Sequence, residues 1–251
     1  MYCMEEEKLD LIVSQLAKNE KLLKRLSEQK YDENNEIDKR AAFVKNRIFQ
    51  VRTDSAIPKL SLDPAFFIHV IPEESNLVNV IEYDRRSQVD VLMTTMHPWF
   101  EGSYDYLYNY DGFATVNKDE YNNVRSYAQL LRCGVGELYA TSFPLNDVAN
   151  TNAIDGNLFF GMLSIRIGGI IATLQEFNYK SKYDVYISFV DFKNVLFANS
   201  RFITFPMAQN DAYFPKVKVD GMQELNNQPQ YIKTLNHIAQ AFGMSTRHSN
   251  R

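Results

Sequence analysis

Arg132, Cys133 and Glu137 fall close together in the stretch Ser126–Ser142, SYAQLLRCGVGELYATS. The stretch reads as strand, tight turn, strand, with Cys133-Gly134 as the break and a glycine suited to positive φ at the second turn position. A two-residue turn places Arg132 beside Val135 and Leu130 beside Glu137, so Arg132 and Glu137 become diagonal neighbours on one face. A base and an acid so placed could bind a charged group, but they read first as a mutual ion pair at the rim of a sheet. Cys133 could serve as a nucleophile only with a lowered thiol pKa, and no histidine lies near it in sequence. His69 stands inside a short apolar run, AFFIHVI. A histidine in such a strand reads as a hydrogen-bonded core residue before a ligand or a catalyst.

The remaining chemistry is sparse. His69, His97, His237 and His248 show no metal-ligand spacing, and Cys3 and Cys133 fit neither a disulfide framework nor a zinc pattern. The chain has no phosphate-binding glycine loop, GxGxxG, HExxH or GxSxG. No catalytic, cofactor-binding or metal-binding residue is singled out, and no cofactor is expected. The formal charge of −4 argues against a surface given over to nucleic acid. The basic groups Arg85-Arg86, Lys180 with Lys182, Lys216 with Lys218, and Arg247 with Arg251 are small, and read as solvated loops that could contact a phosphate. The tyrosines of YDYLYNY, Tyr104–Tyr110, could stack on bases, but the stretch holds an aspartate where a binding groove needs cations. They read as residues packed at a sheet edge.

These residues need elements to hold them. Both runs of Ser126–Ser142 carry apolar residues on adjacent as well as alternate positions, which suits strands covered on both faces near the middle of a sheet. Leu130, Leu131 and Leu138 should be buried. A helix is expected over about Ile37–Val51, with Ala42, Phe43, Ile48 and Val51 as its apolar points. Strands are expected at Ala65–Ile71, Phe113–Val116, Asp184–Phe192 and Arg201–Phe205, with VLFAN as a short addition. VDVLMTTM reads as a short helix or strand. The run Leu158–Leu174, LFFGMLSIRIGGIIATL, is slightly short for a membrane span and contains Arg166. It reads as a buried core helix whose Gly168-Gly169 pair allows close approach to the sheet. A last helix runs from near Pro229 to Gly243, with Ile232, Leu235, Ile238, Ala239 and Phe242 on its apolar stripe.

Residues 5–30 read as a charged helix with a heptad stripe. Leu9, Ile12, Leu16, Leu23 and Leu26 occupy its seam, with Asn19 at the remaining position. The stripe either docks on a partner helix, in a second copy or another protein, or lies back on this chain's own body. The polar segment KYDENNEIDKR that follows is suited to a linker, which favours association. The division expected is a helical arm and linker over 1–36 and one α+β domain over 37–251. The acidic start, MYCMEEEKLD, lacks the apolar segment of a signal peptide, so a cytoplasmic setting is expected.

Five stretches in order resemble the region downstream of the AlbA domain in bacterial Schlafen AlbA-type proteins, which are described as DNA-binding or ATP-binding. They are FVKNRIFQVRTDSAIPKL (Phe43–Leu60), AFFIHVIPEES, NYDGFATV, SYAQLLRCGVGELYA and IKTLNHIAQAFGMSTRHSN. The resemblance spans about residues 43–249, and the stretch ahead of it reads as the heptad-bearing helix in the place of an AlbA domain. It implies a fold, a prokaryotic cytoplasmic setting and a role in regulation or in defence against mobile elements. It supplies no catalytic residue and no nucleic-acid contact.

The expectation is therefore an α+β protein with an antiparallel-rich sheet, packed helices and an N-terminal amphipathic helix. Its expected role is a non-enzymatic interaction or sensor subunit working through a protein partner. Two rivals stay open: a nucleic-acid binder using its basic loops, and a nuclease or nucleotide hydrolase with a scattered site.

Overall fold

The computed structural model describes residues 39–53, 57–61, 64–77, 86–99, 104–141, 143, 145–146, 153–180, 182–193, 195–198, 209–221 and 223–243. The chain divides into two units, Met1–Phe49 and Gln50–Arg251. In the first, the described residues are helical from 39 onward, and this helix, α1, continues to residue 53. Ile48 and Val51 are buried as expected, whereas Ala42 is exposed and Val44 is buried in its place.

The second unit is built on an antiparallel sheet. Among the described residues it has eight strands, with β10 (Ala212–Tyr213), β8 (Lys182–Val190), β1 (Ala65–Pro72), β5 (Gly136–Ala140), β4 (Val124–Leu131), β3 (Gly112–Lys118) and β2 (Asp105–Tyr108) in that order across it. β11 (Val217–Asp220) also pairs with β8. A smaller sheet joins β6 (Leu145–Asn146), β7 (Ala153–Asp155) and β9 (Phe197–Ala198). The architecture is α+β, as expected, and the short strand within VLFAN is β9. The expected strand Arg201–Phe205 lies outside the described residues.

β1, β4, β5 and β8 are buried almost throughout, because both faces of these strands are covered. On one face Phe66, Ile68 and Val70 of β1, Leu138 of β5, Leu130 of β4 and Val185, Ile187 and Phe189 of β8 form the apolar core. The helix α3 (Gly156–Glu176) contributes Phe159, Leu163, Ile167, Ile170 and Leu174 to it. Aromatic edges fill the core: Trp99 meets Phe66 at 4.4 Å and Phe189 meets Phe242 at 5.1 Å between ring centres.

α3 is long and apolar enough to cross a membrane, yet much of its apolar length packs in this core. Asp155 caps it, its Oδ1 accepting from the Leu158 amide at 3.0 Å. Arg166 is buried and donates to the Trp99 carbonyl from Nη2 at 3.1 Å. The glycine pair does not face the sheet as expected. A Cβ on Gly169 would stand 2.6 Å from the Thr95 carbonyl oxygen of α2 (Arg86–Thr95), and one on Gly168 would meet open space. Close approach to the sheet comes instead from Gly136, where a Cβ would reach 2.1 Å from Ile170 Cγ2.

The last helix, α4 (Pro229–Ala241), begins with proline and is followed by Gly243 at φ 68°. Its buried side is Tyr231, Ile238 and Phe242, with Leu235 packed beside them, while Ile232 is exposed. Tyr231 therefore takes the place expected of Ile232.

Candidate functional site

The hairpin β4–β5 turns through Arg132, Cys133 and Gly134, one residue more than expected. The Leu131 amide donates to the Val135 carbonyl at 2.8 Å, and Gly134 takes φ 79°, the left-handed position that closes a three-residue hairpin loop. The extra residue moves the register by one. Gln129 now faces Glu137 and Leu130 faces Gly136. Because side chains alternate, the slip decides which partners Glu137 meets.

Arg132 and Glu137 are consequently not a pair. Arg132 donates from Nε to the Tyr110 carbonyl at 3.2 Å. Glu137 is wholly buried on the face opposite the apolar core. It is directly across from His69 on β1, and its Oε2 lies 3.1 Å from His69 Nε2. Tyr127 of β4 donates from its hydroxyl to Glu137 Oε1 at 2.9 Å. One carboxylate thus bridges β1, β5 and β4 through side chains alone. An ionised Glu137 accepts from His69 Nε2–H.

More polar groups extend this centre. Gln129 donates from Nε2 to Asn109 Oδ1 at 3.0 Å, and the same oxygen accepts from the Gly112 amide at 2.8 Å. The centre therefore continues into the β2–β3 turn. His69 Nδ1, Gln129 Oε1 and Asn109 Nδ2 are buried and make no hydrogen bond among the described residues. His69, Tyr127, Gln129 and Glu137 all have zero exposure. A histidine, glutamate and tyrosine in line could relay a proton in an open cleft. Enclosed here, they tie three strands and leave a substrate no approach along the described surface.

Sequence reading kept His69 as a hydrogen-bonded core residue, and the structure agrees. It missed Glu137 as the partner, and it missed Tyr127. The available signal was burial. A glutamate in a strand with no wet face needs a partner, and His69 sat in another such strand.

The other candidates are scattered. Cys133 lies in the turn, its carbonyl accepting from Ser75 Oγ at 3.0 Å. His97 bonds the Thr94 carbonyl at 2.7 Å, and His237 is exposed. Lys216 pairs with Asp184 and Lys218 with Glu73, each at 2.9 Å. Both are therefore neutralised locally. Tyr106, Tyr108 and Tyr110 stand on or next to the edge strand β2, as expected, but they project: Tyr110 is 91% exposed. Among the described residues no three of His, Cys, Asp and Glu come together as a metal site. Leu9, Ile12, Leu16, Leu23 and Leu26, His248, Arg85, Arg247 and Arg251 lie outside the described residues.

Two concavities stand beside the C-terminal half of α3, the smaller lined by Gln175, Glu176, Asn178 and Lys180. The larger is about 490 Å³ and runs between α3 and the turn before α4, lined by Ile165, Gly168, Ala172, Gln175, Leu225 and Asn226 among others. Gln228 fixes its far wall, donating to the carbonyls of Asp220 and Gln223 at 2.9 and 3.0 Å and accepting from the Asp220 amide at 2.8 Å. Ser164 lies 3.0 Å from the Tyr231 hydroxyl beneath it. Burial pushes the Tyr231 phenol up to about 12, against the opposing effect of that hydrogen bond. Among the described residues the lining contains one acid, Glu224, and no cation. No protein-family model matches the chain, nor does any curated protein or solved structure.

Proposed function

We propose that this protein is a non-enzymatic interaction or sensor subunit that acts through a protein partner, with Leu9, Ile12, Leu16, Leu23 and Leu26 of the N-terminal arm as the principal contact. One observation carries the reading. The acid, base and phenol that could do chemistry are enclosed and bonded to one another, while large apolar and aromatic side chains stand outside. Tyr106, Tyr110, Leu158 and Ile165 are all more than half exposed. Aromatic and aliphatic side chains in such positions are what partner surfaces present. The resemblance to the region downstream of the AlbA domain adds the setting: prokaryotic regulation or defence against mobile elements.

The test is capture from the native host with the full chain, wild type against the Leu16→Asp/Leu23→Asp variant. Charge in an apolar seam opposes association strongly. The expected result is a defined protein partner that the variant loses while its circular dichroism stays native. Capture of nucleic acid in a salt-dependent manner, or nucleotide turnover by the purified chain, would replace the reading by one of its rivals.

A further inference from the structure

Between β11 and α4, Gly221 and residues 223–226 form a wall over part of α3. Side chains fasten this wall to the helix at both ends. Gln175 donates from Nε2 to the Gly221 carbonyl at 2.8 Å, and Ser164 donates from Oγ to Asn226 Oδ1 at 3.3 Å. Positions 164 and 175 lie roughly 16 Å apart along the helix axis. Between them α3 presents Gly168 and Ala172 to the wall. A Cβ added at Gly168 would meet nothing within 4 Å, so the span between the two anchors stays open. It is the concavity of about 490 Å³, a size that suits a small molecule. The wall is also held from behind, by Gln228 on the carbonyls of Asp220 and Gln223. A wall fixed in advance spares a ligand the cost of ordering it.

The lining selects among ligands. Ile165, Ile171 and Leu225 give it apolar sides, and no aromatic ring lines it among the described residues. Without a cation it offers nothing to a phosphate or a carboxylate. Its single charge is Glu224, whose Oε2 accepts from Asn227 Nδ2 at 3.1 Å and whose Oε1 remains to accept. Gln175 spends its amide hydrogens on Gly221, which leaves its Oε1 as a second acceptor. A short apolar body with a positive, hydrogen-donating head matches this arrangement.

We propose that the cavity between α3 and residues 221–226 binds a small aliphatic amine. Glu224 and Gln175 hold the ammonium group, and the methylenes lie against Ile165, Gly168, Ala172 and Leu225. The proposal goes beyond the partner role of the N-terminal arm, uses none of its residues, and gives the sensor reading a class of ligand.

The experiment is titration calorimetry on the full chain at an ionic strength of about 0.15 M, where weak surface attraction is screened. The probes are butylamine, 1,4-diaminobutane, butane-1,4-diol and butyrate. Saturable binding of the amines is expected, with the diol weaker by about tenfold or more and no binding of butyrate. Glu224→Gln should weaken the amines by about tenfold or more, which separates this site from attraction to the acidic chain as a whole. Gly168→Leu fills the floor and should abolish binding while circular dichroism stays native, since its side chain enters open space. Ala172→Leu fills the same floor from the next turn and serves if Gly168→Leu fails to fold. Absence of saturable amine binding would overturn the proposal. So would amine affinity unchanged in Glu224→Gln or in a folded floor variant, or a diol or butyrate bound as tightly as the amines.

Discussion

The two faces of the central sheet use the same strands in different ways. In β1, Phe66, Ile68 and Val70 point to one side and Phe67, His69 and Ile71 to the other, as the alternation of a strand requires. The first side is held by apolar contact with α3. It gains from area and fit, and neighbouring side chains can exchange roles at modest cost. The second side holds Glu137 between His69 and Tyr127. It gains little from the hydrogen bonds themselves, because the unfolded chain makes them with water. Removing one partner is severe, since it leaves a charge or a donor buried alone. Strands with no wet face thus support two unlike kinds of specificity, one graded and one close to all-or-none.

Substitutions on the two faces should separate these behaviours. The largest loss is expected for Glu137→Ala, which removes the buried carboxylate that His69 and the Tyr127 hydroxyl both bond. About 3–5 kcal/mol should disappear in a urea titration. Leu130→Ala on the apolar face should cost about 2–5 kcal/mol, whereas Leu138→Met, which conserves volume, should cost less than about 1.5 kcal/mol. A polar face as tolerant as the apolar one would remove the distinction. Gly136→Ala should cost about 1–3 kcal/mol through overpacking against Ile170 Cγ2, and a compensating Ile170→Leu, which removes that methyl from Cβ, should recover part of it.

The smallest effect at neutral pH concerns Tyr231. Its pKa is raised from 10.0 to about 12 by burial, so the folded state holds its proton more tightly than the unfolded state. That contribution is complete below pH 10 and is lost as the pH rises through about 12. Wild type should therefore lose roughly 2 kcal/mol more than Tyr231→Phe between those limits. Parallel denaturation curves for the two proteins across this range would show that Tyr231 titrates as it does in the unfolded chain.

Much of the fold was legible because its signals are local. The apolar strand Ala65–Ile71, the central hairpin, the helix Gly156–Glu176 and the start of the last helix at Pro229 follow from hydrophobic pattern, glycine and proline. What was not legible depends on register. Nothing in the residues Arg132-Cys133-Gly134 distinguishes a two-residue from a three-residue loop without the φ of Gly134, and that one residue decides whether Glu137 meets Arg132 or His69. The direction of Gly168-Gly169 was misread for a similar reason. A helix apolar nearly all round does not reveal which side faces the sheet, and Gly136 on the sheet provides the close approach. The seam residues Leu9 to Leu26 remain a reading of spacing alone.

The proposed division between an enclosed polar centre that serves the fold and an outer surface that serves association is open to one decisive comparison. The variant His69→Phe/Tyr127→Phe/Glu137→Leu replaces the three side chains bonded through the carboxylate by apolar ones and leaves none of the three alone, while Gln129 keeps its bond to Asn109. Stability by urea titration and assembly mass by light scattering are measured on this variant, on Glu137→Ala and on wild type. The expected result is that the triple variant regains most of the stability that Glu137→Ala loses, and keeps the wild-type assembly and partner. A stable, folded triple variant that no longer assembles or binds its partner would contradict the division, because the polar centre would then be part of the function.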